Sequence, residues 1–269
     1  MNRKPAVAGQ FYPGNALDLA REAQKYTSKR APHSSQPTIL AMVPHAGYVY
    51  SGAIAGETIA RANLAETVVL LGPNHTGIGD LVALWPDGTW LFPGGALEVD
   101  EPLAAAILAA IPGITSDYTA HLGEHSLEVQ LPLLHAKFPK TRIVPICIAD
   151  PHPGSLLAMG SALAGVIARA QKPVSIVVSS DMSHFISARQ AKKQDRLAID
   201  QILALSPQGL FQTVRDHAIS MCGIFPMTMG LQAACALGAT KASEICYATS
   251  GDVSQDYDNV VGYAGIVVE

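Results

Sequence analysis

Three histidines stand just beyond the ends of apolar runs: His45 in "ILAMVPHAGY", His75 in "VVLLGPNHTG" and His184 in "SIVVSSDMSH". Neutral imidazole is a ligand for zinc, copper, iron and nickel, and it is also the side chain best suited to moving protons near neutral pH. One such histidine is ordinarily a turn brace. Three in equivalent positions, with Asp181 just ahead of His184, favour a site. Two further segments carry groups of the same chemistry. In "HLGEHSLEVQLPLL" Glu124 and His125 precede a predicted helix with Ser126 as its N-cap, where the positive helix end favours a neutral, basic imidazole. In "HAISMCGIFPMTMG" Cys222 precedes a helix expected to start at Phe225 or Pro226, a place that draws a thiol towards thiolate. Taken alone, Cys222 reads as a buried structural cysteine, and His125 stays open between a solvated loop residue and a base or hydrogen-bond donor of the site. His33, His121 and His135 read as structural or solvated, and His152 and His217 stay open between turn brace and site.

The elements that must position these residues are legible in the period of the apolar residues. "TILAMVP", "TVVLLGP", "RIVPICIA", "VSIVVSS" and "GYAGIVV" are short runs rich in Val and Ile, the pattern of strands buried on both faces. Helical stretches alternate with them, among them "GAIAGETIARAN", "SLEVQLPLLHAKF" and "FPMTMGLQAACALG". This alternation predicts an α/β fold, a three-layer sandwich with a mostly parallel central sheet and helices on both faces, in one domain over residues 1–269. The stretch "WPDGTWLFPGGALEV" predicts a hairpin inserted after the second strand. In such sheets ligands sit outside the carboxyl ends of the strands, which is where His45, His75 and His184 fall.

Composition bounds the function. Hydrophobic residues make up 49% of the 269 residues and charged residues 15%, enough apolar material for a thick core. A formal net charge of −4 gives no general attraction to nucleic acid or anionic membranes, so neither is an expected partner. The start, "MNRKPAVAGQFYPG", lacks the apolar core of a secretory leader, and no apolar run has the length of a bilayer span. A cytoplasmic protein is expected. The four cysteines have no C-x-x-C spacing, which argues against a zinc ribbon or a disulfide framework.

Read in order, "PAVAGQFYPG", "VPHAGYVYSG", "LGPNHTG", "GEHSLEVQLPLL", "SSDMSHF" and "MCG" resemble the MEMO protein family, whose bacterial and archaeal members are called AmmeMemoRadiSam system protein B. The resemblance runs from Pro5 to the final strand. It implies a fold similar to class III extradiol dioxygenases, with a metal, iron or copper and alternatively zinc, on His45, His75 and Cys222. It further implies an acid or base at His184, with Asp181 and His125 lining the same pocket. Cys222 would supply a thiolate where ring-cleaving enzymes place a carboxylate, a ligand that suits softer ions. Where animal members carry Arg-His-Pro after the Cys-Gly pair, this chain has Ile224, Phe225 and Pro226. The functions implied are redox chemistry on an unknown small molecule or peptide, a non-catalytic peptide- or protein-binding module, or metal-assisted hydrolysis. Partner proteins of the radical-SAM and AMMECR types are implied by the family name.

Overall fold

The computed structural model describes residues 1–28 and 31–269. Four of the apolar runs become a parallel core of strands: β2 (Leu40–Val43), β3 (Thr67–Pro73), β8 (Arg142–Ile148) and β9 (Val174–Ser179). Around them lie β1 (Asn2–Arg3), β4 (Val82–Leu84), β5 (Thr89–Phe92), β6 (Gly95–Val99), β7 (Thr115–Ser116), β10 (His184–Ile186), β11 (Ala242–Thr249) and β12 (Val260–Val268). The sheet runs β1-β5-β6-β8-β3-β9-β2-β12-β10, with β11 paired to β12 and β4 to β8. Thr67 registers against Arg142 on one side and Val174 on the other, so three neighbouring strands start level and end level.

Helices cover both faces, which is why the core strands are buried almost end to end and rich in consecutive apolar residues. They are α1 (Ala16–Thr27), α2 (Tyr48–Arg61), α3 (Glu101–Ala110), α4 (Thr119–Leu122), α5 (Leu131–Lys137), α6 (Pro153–Ala168), α7 (Ala188–Leu203), α8 (Pro207–Asp216), α9 (Ile224–Ala236) and α10 (Gly251–Ser254). β12 shows the two-sided packing directly. A Cβ on Gly265 would lie 1.8 Å from the Thr58 hydroxyl of α2, and one on Gly262 would lie 2.0 Å from the Asp195 carboxylate of α7. Three residues apart on a strand, the two glycines face opposite sides, so a helix presses close on each.

The expected α/β sandwich is therefore present, with two differences in detail. The final strand, β12, is antiparallel to β2, so the mostly parallel sheet ends in an antiparallel flank made with β11 and β10. An apolar strand reads the same in either direction, and only its neighbour decides. Ser126 is not a helix cap: its hydroxyl donates to the Pro73 carbonyl at 3.0 Å, and a 3-10 turn over Glu128–Gln130 leads into α5. The predicted hairpin forms from β5 and β6, and β1 adds to it in parallel. No helix among the described residues is long and apolar enough to cross a membrane.

Candidate metal centre

His45 and His75 each follow the last residue of their strands, Val43 and Pro73, by two positions, and Asp181 follows Ser179 of β9 in the same way. Because β3, β9 and β2 are neighbours in the sheet, all three reach one carboxyl edge. The loop carrying Glu124 and His125 is stitched to this edge by two hydroxyls. Ser126 Oγ donates to the Pro73 carbonyl, and Ser179 Oγ donates to the Ser126 carbonyl at 2.7 Å.

The hydrogen bonds fix the tautomers. Ser179 Oγ spends its only proton on Ser126 and accepts from Gln130 Nε2 at 3.0 Å, so the 2.8 Å contact with His45 Nδ1 must be a bond donated by the imidazole. His45 Nε2 is then an unprotonated lone pair. His75 Nδ1 donates to Glu124 Oε1 at 2.9 Å, which leaves its Nε2 free as well. His125 Nδ1 faces the same carboxylate oxygen at 3.4 Å, and its ring stacks on His75 with centroids 4.7 Å apart. One ligand atom from each of His45, His75 and His125 lies within 4.8 Å of the other two. Burial holds His45 well below the ordinary imidazole pKa, helped by the neighbouring His75 and His125, and burial likewise lowers His125. Neutral, correctly oriented imidazoles are the form that ligates metal.

Glu124 is the clamp of this cluster. It is 1% exposed and accepts bonds from the main-chain N–H and ring of His75 and from Ser126 N–H at 2.8 Å. Burial opposes its ionisation, but the bond from the His75 ring, the electrostatic attraction of that neighbouring imidazole and the two backbone N–H groups outweigh burial and bring its pKa down to about 2. The sequence places Glu124 beside His125 without revealing that it orients His75. The available signal is a carboxylate directly ahead of a candidate ligand, since carboxylate-buttressed histidines are the usual outer layer of metal sites.

Cys222 joins the cluster through His45. Its sulfur lies 3.2 Å from His45 Nε2 and accepts the Asp181 backbone N–H at 3.2 Å, just ahead of α9. Burial, and then the Asp181 carboxylate, push the Cys222 thiol well up, so without a cation it stays protonated and donates to His45 Nε2. A cation would take both lone pairs and release that proton. Asp181 Oδ1 accepts the His45 backbone N–H at 2.7 Å. Burial raises Asp181 to about 6, against the lowering effects of that bond and of His184. His184 Nδ1 donates to the Ser220 carbonyl at 2.8 Å, leaving Nε2 free, and the half-buried ring stands beside the cluster without a hydrogen bond to it. Of the six residues that the resemblance assigns to the site, His45, His75 and His125 form the mutually close group. Cys222 and Asp181 contact His45, and His184 flanks them.

The N-terminal segment braces the same loop. Arg3, fully buried, donates to the carbonyls of His121 at 2.8 Å and Glu124 at 2.6 Å and pairs with Glu128 at 2.7 Å. Glu128 also accepts from the Ala6 and Val7 N–H groups and the Tyr12 hydroxyl. Phe11 then sets its ring 4.6 Å from that of His125. His121 is structural, its Nε2 on the Ala83 carbonyl at 3.0 Å and its Nδ1 facing the buried Cys147 thiol at 3.4 Å. His152 is engaged by Asp150 at 2.8 Å on the surface.

Fold and site together describe an α/β sandwich whose strand ends carry a histidine-rich candidate metal centre. Residues 3–267 match the Memo-like protein family. A MEMO1 family protein of Methanosarcina barkeri is 40% identical, covering 99% of this chain and all of that protein, and one of Methanopyrus kandleri is 39% identical, covering 99% of each. A MEMO1 family protein of Aquifex aeolicus is 38% identical over 98% of both chains. The chain belongs to the MEMO family. Among solved structures, an uncharacterized Escherichia coli protein superposes with a TM-score of 0.52 at 11% identity, covering 85% of this chain and 98% of that one, and shows the shared fold.

Proposed function

We propose that the protein is a mononuclear metal protein in which His45, His75 and Cys222 hold iron or copper for redox chemistry on a small molecule or peptide. The observation that carries this reading is the close approach of one ligand atom each from His45, His75 and His125, with the Cys222 sulfur 3.2 Å from the unprotonated His45 Nε2. The thiolate supplies negative charge in a buried site, and the Asp181 N–H bond favours that form. A soft sulfur with two imidazoles suits copper and zinc, and iron is accommodated by the same imidazoles. When bound, the metal supplies electrons or Lewis acidity. His125, neutral and oriented by Glu124, accepts a proton from the substrate. His184, half-buried beside the cluster, exchanges protons with solvent, and Asp181 holds the His45 and Cys222 segments in register. The protein acts in the cytoplasm, with proteins of the radical-SAM and AMMECR types as its partners.

Metal analysis of untagged protein purified without air tests the reading. About one equivalent of iron or copper is expected, and loss of that metal from His75→Ala. Purified protein without stoichiometric metal, and without uptake on anaerobic addition of Fe(II) or Cu(I), would contradict it.

A further inference from the structure

A cleft of about 490 Å³ opens at the edge of the sheet opposite the candidate metal centre. Its floor is formed by Thr67, Arg142 and Val174, the first residues of β3, β8 and β9, so the full length of these strands separates it from His75 and Asp181. Leu103 and Ala106 of α3 and Val166 of α6 give it apolar walls. Its size lies within the range of roughly 300–1,000 Å³ usual for small-molecule sites. Among the described residues no histidine, cysteine or serine lines it, and its lining reads as a recognition surface.

Charge identifies the kind of ligand. Three cations, Arg142, Arg169 and Lys172, line the cleft against one acid, Asp100. Arg142 is held by Glu98 at 2.7 Å, but the side chains of Arg169 and Lys172 have no hydrogen-bond or ion-pair partner among the described residues. Asp100 does not neutralise them. Its Oδ1 accepts the Leu103 N–H at the start of α3, at 3.1 Å, and its Oδ2 accepts the Thr67 hydroxyl at 3.2 Å. The cleft thus joins an apolar wall to two uncommitted cations, and a guanidinium matches a planar, two-oxygen anion.

We propose that this cleft binds a small amphipathic carboxylate, its apolar body against Leu103, Ala106 and Val166 and its carboxylate on Arg169 and Lys172. The site is independent of the metal centre. Calorimetric titration of the full-length protein with octanoate tests it, with 1-octanol, acetate and octyl phosphate as comparisons. Two variants accompany it: Arg169→Ser with Lys172→Ser, whose side chains are exposed so that folding is retained, and Ala106→Phe, which fills the cleft. One octanoate per chain is expected. Affinity should fall at least about tenfold in each variant, and octanol and acetate should bind at least about tenfold more weakly. Non-saturable octanoate binding, or equal affinity in the parent and both variants, would overturn the proposal. Octyl phosphate binding tenfold more tightly than octanoate would overturn the carboxylate assignment.

Discussion

Glu124 Oε1 lies 2.9 Å from His75 Nδ1 and 3.4 Å from His125 Nδ1, so one buried carboxylate orients two imidazoles of the candidate centre. Replacing it by the isosteric Glu124→Gln removes the charge and retains the shape. Metal affinity should fall about 10–100-fold, the usual effect of losing an outer carboxylate. The same residue sets an acid sensitivity. Its pKa is lowered from 4.5 to about 2 in the fold, so its stabilisation is complete above the unfolded value and is lost as pH falls from 4.5 through 2. The linkage is worth roughly 3 kcal/mol. Denaturant unfolding of chelator-treated protein between these pH values should show a loss of that order, and Glu124→Gln should flatten it. An equally steep dependence in the variant would remove Glu124 as its origin.

His184 and His75 should separate cleanly. His75 carries a free Nε2 inside the mutually close group, whereas His184 stands beside it, tethered to the Ser220 carbonyl. His75→Ala is expected to abolish metal binding and His184→Ala to leave it nearly intact. Proton transfer through His184 would appear as a fall in turnover of about 10²–10⁴-fold once a substrate is in hand. Anaerobic titration with Fe(II), Cu(I) and Zn(II) distinguishes the two roles, and equal loss of affinity in both variants would make His184 a ligand.

Phe185 is 75% exposed and adopts φ 59° at the bulge where His184 and Ile186 shift register against β12. A phenylalanine in the left-handed region costs about 1–2 kcal/mol, and exposure returns little of it by burial. Phe185→Gly should therefore raise the unfolding free energy by about 1 kcal/mol, measured by denaturant titration. A decrease would show that the ring contributes packing that outweighs the strain.

Arg3 and Glu128 are both fully buried and pair at 2.7 Å. Arg3→Met leaves the Glu128 carboxylate without its cation and frees the carbonyls of His121 and Glu124. A loss of about 3–5 kcal/mol in stability is expected. The same change should weaken metal binding, because the Glu124 loop loses its brace. Unchanged stability would indicate that water replaces the guanidinium.

The core strands were legible because β2, β3, β8 and β9 carry runs of consecutive apolar residues, such as Val68–Leu71 and Ile176–Val178, which a sheet covered on both faces explains. So were His45 and His75, since a polar residue two positions beyond such a strand has one edge to occupy. The direction of β12 was not legible, because an apolar strand reads the same either way, nor was the two-residue β1, which is too short to have a period; α1 has one, with Leu19, Ala23 and Thr27 buried four residues apart, but small and polar residues on that face make it faint. Glu124 escaped for a different reason: it lies far from His75 in sequence, and only the folded loop places its carboxylate on the ring. Arg3 reads as a solvated N-terminal cation until Glu128 is seen beneath it.

With Cys222 and two histidines holding the metal, His125 is left to act on substrate. X-ray absorption at the zinc edge of protein loaded with one equivalent of Zn(II) tests it most directly. One sulfur scatterer at about 2.3 Å with imidazole nitrogens at about 2.0–2.1 Å is expected, with the sulfur lost in Cys222→Ser and retained in His125→Ala. A shell of nitrogen and oxygen alone in the unmodified protein would assign the metal to His45, His75 and His125 and contradict the account.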